Sequence, residues 1–206
     1  MFRSLFAFLV VVCVLGFART SSAQQISGGI KAGVTSARLP GVTEAIEIPV
    51  DQEARWGGTV GAFVTLRIND LVAFQPEALY IFKGAAIASP AASYSLTFDT
   101  RYLEVPLLFR LASSRQRLYF LAGPHFSFLL SAEGTESIGG KSETRDVNDQ
   151  FKGADAGISF GAGASFNRFL IEGRWSEGVR DIDREDRSDT KVRNRVLAVL
   201  AGFRFD

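Results

Sequence analysis

The 206-residue chain holds one cysteine, one histidine and one methionine. Cys13 lies inside an N-terminal apolar run, preceded by Val12 where a lipoprotein acylation site wants a small residue, and followed by further apolar residues. Everything after it is free of cysteine, which excludes disulfides, thiol catalysis and cysteine metal sites from the body of the protein. Charge of one sign is also missing: 23 Lys and Arg face 22 Asp and Glu, so there is no bulk electrostatic case for a nucleic-acid partner. The apolar run from Leu5 to Phe17 is 13 residues long, short of the roughly 17–25 that a transmembrane helix needs. No later run is long enough either.

That run has the parts of an export signal. Arg3 supplies a positive n-region, the apolar stretch follows, and Ser21-Ser22-Ala23 forms a small-residue cleavage site before Gln24. We therefore expect a signal peptide at 1–23 and a single mature domain at 24–206. Loss of Arg3 and Arg19 takes the formal charge from +1 to −1.

What recurs in the mature chain is a period of two. In LYFLAGPHFSFLLS (118–131), Leu118, Phe120, Ala122, Pro124, Phe126, Phe128 and Leu130 share one face, and Tyr119, Gly123, His125, Ser127 and Ser131 the other. Ile30, Ala32 and Val34 alternate with Lys31, Gly33 and Thr35 in the same way. So do Val60 to Leu66 with Thr59 to Arg67, Phe74 to Phe82 with Gln75, Glu77 and Lys83, and Ile158 to Phe166 with Asp155 to Ser165. Ile171, Gly173 and Trp175 oppose Glu172 and Arg174, and Leu197 to Phe205 oppose Asn194, Gly202 and Arg204. With residues 96–111, this makes about eight strands, each near the length that crosses a bilayer at a tilt.

The connections alternate between long and short. A long polar stretch near 37–55 and further long stretches near 84–95, 133–150 and 177–191 are separated by brief turns at Ile68-Asn69-Asp70, between Ser113 and Arg117, and at Asn167-Arg168. Outer-membrane barrels have this asymmetry, with short periplasmic turns and longer outer loops. The fold expected is all-β: an eight-stranded antiparallel up-and-down transmembrane β-barrel in the bacterial outer membrane. Closure leaves no strand edge in lipid and satisfies the backbone internally. A lipocalin-like soluble barrel would instead bury Lys31, Arg67, Glu77, Glu104, Arg110, Glu172 and Arg174 in an apolar core, at several kcal/mol for each unpaired charge.

GIKAGV (29–34), QPEALYIFKGA (75–85), RYLEVPLLFR (101–110), FLAGPHFSFLLSA (120–132) and NRVLAVLAGFRF (194–205), taken in order, resemble the PorT-type outer-membrane β-barrel domain family over essentially the whole mature chain. The resemblance implies an eight-stranded barrel in a diderm outer membrane, in a family whose members mostly lack an assigned activity. Its eponymous member is linked to protein secretion. The last strand also resembles the aromatic signal read by the barrel-assembly machinery, with Phe203 and Phe205 on one face, although Asp206 follows them.

The candidate site is a lumen charge cluster: Glu77, Glu104, His125, Arg67, Arg110, Glu172, Arg174 and Arg204. Counting from the short turns puts Glu77, Glu104 and His125 at similar heights, with Arg67, Arg110 and Arg174 nearer the periplasmic end. An interior this narrow is filled by side chains, which makes the cluster an ionic plug; the other uses weighed are an ion path and lipid A deacylation by a His125 and Ser127 pair. The deacylase chemistry needs both groups on the lipid face, and the alternation turns them inward. REDRSD (184–189) lacks the glycine of a calcium loop. No catalytic residue, metal or cofactor is expected. The expected partners are outer-membrane lipid and lipopolysaccharide, the assembly machinery, and an envelope protein met through the outer loops. Pro76, Pro106 and Pro124 fall at nearly one height on adjacent strands and predict a bulge or ladder break there.

Overall fold

The computed structural model describes residues 26–38, 51–89, 94–113, 117–139, 141–148, 153–179 and 195–205. The expected signal peptide at 1–23, most of the 37–55 stretch and the REDRSD segment lie outside these residues. Among the described residues nine strands are formed: β1 (Ile26–Arg38), β2 (Asp51–Arg67), β3 (Val72–Ser89), β4 (Tyr94–Ala112), β5 (Leu118–Ile138), β6 (Lys141–Asp146), β7 (Ala154–Phe166), β8 (Phe169–Gly178) and β9 (Arg195–Phe205).

Each strand pairs antiparallel with its neighbours, β1 pairs with β9, and the circuit β1-β2-β3-β4-β5-β7-β8-β9 closes into an eight-stranded barrel. β6 stands outside that circuit. It pairs with the outer part of β5 while β7 pairs with the inner part, so β6 continues the wall above β7. Where the chain leaves the β5 edge between them, the Asn148 side chain accepts the Ala132 amide at 2.6 Å, and Gly153 O accepts that of Leu129 at 2.9 Å. The interruption leaves neither amide unsatisfied.

The faces are inverted relative to a soluble barrel. On β1, Ile30 and Val34 are 52% and 55% exposed, whereas Lys31 and Thr35 are 2% and 0%. The same split runs along β8, where Ile171 and Trp175 face out and Glu172 and Arg174 face in. Such a continuous apolar exterior matches lipid. Aromatic side chains gather near the end that carries the short turns, with Phe169, Phe203 and Phe205 packed at centroid distances of 5.3 and 5.6 Å, and Phe74 against Phe109 at 5.5 Å. Aromatic belts mark membrane interfaces.

Both described short turns follow from their residues. Asn69 Oδ1 accepts the amides of Leu71 and Val72 at 2.9 and 2.8 Å, closing the β2-β3 turn. Asn167 takes a left-handed φ of 53° in the two-residue β7-β8 turn, a conformation asparagine tolerates better than most residues.

The outer ends depart from expectation. The stretches near 84–95 and 133–150, expected as loops, are largely strand: β3 runs to Ser89, β4 begins at Tyr94, and β5 and β6 form a hairpin through Gly139. Residues 133–146 have no apolar face because they stand above the bilayer, so they lack the alternation that betrays a membrane strand. Cross-strand hydroxyl pairs hold them instead, Thr135 with Thr144 at 2.9 Å and Ser137 with Ser142 at 2.7 Å. One extra residue near Leu130 shifts the β4-β5 register. Below it His125 and Ser127 point inward, and above it Ala132 does, as a one-residue slip requires.

The prolines break the ladder without a bulge. Pairing passes from Pro76 and Leu107 directly to Leu79 and Glu104, and from Pro106 and His125 directly to Phe109 and Ala122, with the register unchanged across each gap. The register shifts lie farther from the short turns, between Ala54 and Thr59 and at Arg101 and Tyr102. A missing donor removes a rung; it does not by itself add a residue.

Candidate functional site

The lumen is lined by the inward rows of all eight wall strands, and it divides its charges into separate groups. The central one joins β1, β2, β3, β5 and β8. Lys31 Nζ binds Glu77 Oε1 at 2.8 Å and Glu172 Oε2 at 3.2 Å. Arg174 binds both oxygens of Glu77, at 2.8 and 2.9 Å, and also Glu172. Gln75 Nε2 donates to Glu77 at 2.8 Å, Thr65 donates to Gln75 at 3.1 Å, and the Tyr119 hydroxyl donates to Glu172 at 3.3 Å. The side chains of Lys31, Glu77 and Glu172 are fully shielded. Two cations thus balance two carboxylates, which is what makes burial of four charges tolerable.

A second group lies beside it. Lys83 Nζ binds Glu104 Oε2 at 2.6 Å and donates to Ser127 Oγ at 3.2 Å, while Ser127 donates to the same carboxylate at 3.1 Å. Lys83 also sits 5.1 Å from the Tyr102 ring centroid. The third group is a histidine on two serines: His125 Nδ1 meets Ser159 Oγ at 3.0 Å, and Ser159 meets Ser176 at 2.8 Å.

Room for these large side chains comes from small residues opposite them. Lys31 has Gly61 and Gly202 as its two cross-strand partners, and Arg174 has Gly161 and Ala198. β7 presents Gly157, Ser159, Gly161, Gly163 and Ser165 to the lumen. A β-carbon at Gly157 would collide with the His125 ring, and one at Gly163 with Tyr119. Small barrels fill their interiors by alternating large and small residues in this way.

The residues of the cluster expected from sequence do not form one assembly. Glu77, Glu172 and Arg174 come together; Glu104 does not share a site with Glu77, and His125 joins the serines of β7 and β8. Arg174, expected nearer the periplasmic end, stands as many residues above Arg168 as Glu77 stands above Leu71, and the two meet. Arg67, Arg110 and Arg204 line the mouth at the short-turn end instead. The cluster as read from sequence omits Lys31 and Lys83, although both fall on inward faces. The signal for them is arithmetic: Glu77, Glu104 and Glu172 need cations at their own height, and Arg174 alone is too few. His125 and Ser127 are 1% and 0% exposed, turned away from lipid, so the arrangement lacks the lipid-facing pair that a deacylase requires.

At the opposite end Arg55 forks onto Asp99 at 2.9 and 3.0 Å, and Arg101 approaches Glu133 at 3.4 Å. Both pairs are partly exposed.

The fold agrees with the comparisons. Among solved structures the chain is similar to Neisserial surface protein A, at 11% identity and a TM-score of 0.51, covering 88% of this chain and all of that one. It is also similar to Ail, the attachment invasion locus protein of Yersinia pestis, at 17% identity and a TM-score of 0.45, covering 87% of this chain and 98% of that one. No curated protein matches the sequence. The family described as outer membrane protein beta-barrel domain matches residues 21–184, and the chain accordingly belongs to that family, as a small β-barrel protein of the bacterial outer membrane.

Proposed function

We propose that this barrel is non-enzymatic and acts as a structural or interaction element of the envelope, with its lumen closed by side chains and its outer hairpins as the working surface. The observation that carries this reading is the buried, charge-balanced strut of Lys31, Glu77, Glu172 and Arg174 across the middle of the lumen. A pore needs water there, and an enzyme needs an accessible reacting group. The outer surface has the opposite character. β2 to β5 run 17 to 21 residues against 10 and 11 for β8 and β9, so one side of the wall rises well beyond the roughly 9–11 residues that span a bilayer. Its summit, Lys141–Asp146, is exposed and polar.

In this reading the barrel is held by outer-membrane lipid and lipopolysaccharide, reaches the membrane through the assembly machinery after its signal peptide is removed, and meets an envelope partner through the hairpins. The test has two parts. Planar-bilayer recording of the purified mature protein is expected to show no steady conductance, whereas Lys31→Ala, Glu77→Ala and Arg174→Ala combined open a current. Crosslinking in intact outer membrane is expected to give an adduct that disappears when residues 135–144 are replaced by an Asn-Gly turn. Steady conductance of the unaltered protein overturns the reading.

A second reading, an accessory part of a secretion or transport assembly, is favoured by the PorT-type likeness of the five ordered segments. Deletion of the protein would then block export of a secreted substrate while leaving outer-membrane composition unchanged.

A further inference from the structure

The tall wall carries a regular array of hydroxyl groups. Ser95 on β4 pairs with Ser137 on β5, which pairs in turn with Ser142 on β6. Two residues nearer the bilayer, Thr97, Thr135 and Thr144 line up in the same way, and a third rank below them holds Asp99, Glu133 and Asp146. Serine, threonine and acid thus form three rows across three strands, with about 4.8 Å between strands and about 6.7 Å between rows. Ser142 and Thr144 are exposed, and the hydroxyl residues of β4 and β5 are partly exposed.

This array continues the lipid-facing side of the wall. Thr100 and Tyr102 on β4 and Ala132 on β5 are buried in the lumen, so alternation turns Ser95, Thr97 and Asp99, like Glu133, Thr135 and Ser137, to the outer face. Lower on β5 that face carries the exposed Phe126, Phe128 and Leu130. From the membrane upward it therefore passes from apolar side chains to the ion pairs of Arg55 with Asp99 and Arg101 with Glu133, and then to threonines and serines. A lipopolysaccharide molecule standing beside the barrel follows the same order: acyl chains, phosphates, sugars.

The hydroxyls are fixed before a ligand arrives. Thr135 and Thr144 bond each other at 2.9 Å, and Ser137 and Ser142 at 2.7 Å. One hydroxyl donates in each pair, which leaves the other's hydrogen and lone pairs on both oxygens for a ligand. Groups already held in place lose little freedom on binding. The strand spacing is close to the length of one sugar in an extended glycan, so successive sugars can meet successive strands. Protein interfaces centre on aromatic or apolar anchors, and these ranks supply none; the hairpin tip, where Ile138 is exposed, is left for a protein partner.

We propose that the serine and threonine ranks of β4, β5 and β6 are a docking surface for the core oligosaccharide of lipopolysaccharide in the barrel's own membrane. Such docking rests on the reading that lipopolysaccharide holds the barrel, and gives that contact its surface.

The test uses the mature protein folded in an amine-oxide detergent, which brings no sugar of its own. Binding is titrated with lipopolysaccharide carrying a complete core and with lipid A alone, and the complete molecule is expected to bind at least fivefold more tightly. Thr97→Val, Thr135→Val and Thr144→Val in one chain remove the hydroxyls at nearly constant shape; they should erase that difference and leave the affinity for lipid A unchanged, with folding checked by circular dichroism. Thr144→Val alone, on exposed β6, should weaken binding of the complete molecule at least twofold and answers the question even where the triple variant does not fold. Equal affinity for the two lipids, or a preference for the core that is indifferent to these variants, overturns the docking surface and leaves the lipid reading in place. Binding of neither lipid overturns both.

Discussion

Arg174 on β8 holds Glu77 on β3 through two parallel hydrogen bonds, Nη1 to Oε2 at 2.8 Å and Nη2 to Oε1 at 2.9 Å. In the closed circuit β3 and β8 occupy opposite walls, so the contact spans the lumen. Ladder hydrogen bonds join each strand only to its neighbours. A bidentate bond from wall to wall braces the barrel against flattening, with Lys31 and Glu172 completing the charge balance.

Removing one end of this brace is the first test. Glu77→Ala leaves Lys31 and Arg174 with Glu172 as their one carboxylate, and we expect a loss of about 3–5 kcal/mol, the usual cost of stranding a buried charge. Urea unfolding in detergent measures it. Glu77→Leu combined with Arg174→Met should lose less than Glu77→Leu alone, because the double change removes both charges together.

Burial should decide the worth of an ion pair more than the number of its hydrogen bonds does. Lys83 binds Glu104 with both side chains at most 2% exposed, whereas Arg55 and Asp99 are 43% and 42% exposed. Lys83→Met is expected to cost about 3–5 kcal/mol, and Arg55→Ala no more than about 1 kcal/mol. Adding salt should weaken the Arg55 contribution and leave that of Lys83 nearly unchanged. Equal costs in the same unfolding assay would contradict this account.

The small residues of β7 make a steric prediction. A side chain at Gly157 meets the His125 ring, which is itself held by Ser159. Gly157→Val should cost about 1–3 kcal/mol by overpacking. Pairing it with His125→Ala should recover only part of the loss, because the Glu177 carbonyl oxygen stands 2.2 Å from the same added carbon. Gly153, with open space around it, is the control: Gly153→Ala should change unfolding little.

The wall was legible in the sequence because lipid imposes a strict test on every second residue. Ile30 and Lys31, or Ile171 and Glu172, state their faces outright, and the tight turns at Asn69 and Asn167 are given by residues that cap or tolerate them. Two things were not legible. The β5-β6 hairpin stands in water on both sides, so Thr135 and Thr144 carry no hydropathy contrast to mark it as strand. The partners of the lumen charges depend on strand tilt and stagger, which residue counts from a turn do not contain; Glu104 could thus be placed beside Glu77 by count while binding a different cation. The prolines lay between these cases, since loss of a donor foretells a missing rung at Pro106 but not whether the chain inserts a residue to accommodate it.

Orientation is the last prediction, and the scarcity of cysteine makes it clean. Cys13 precedes the expected cleavage site, so the mature domain offers no thiol of its own. Ser142, exposed on β6, and Asn69, exposed in the β2-β3 turn, lie at opposite ends of the barrel. Ser142→Cys should react with a membrane-impermeant maleimide on intact cells. A cysteine at the short-turn end should react only after the outer membrane is opened; because Asn69 closes its turn through two hydrogen bonds, Asp70→Cys is the safer probe there. The reverse pattern would put the short turns outside, move the arginine-lined mouth to the cell surface, and make the tall wall of β2 to β5 a periplasmic feature. Labelling of both probes on intact cells would show instead that the outer membrane itself is leaky, a condition distinguished by a soluble periplasmic marker read in the same samples.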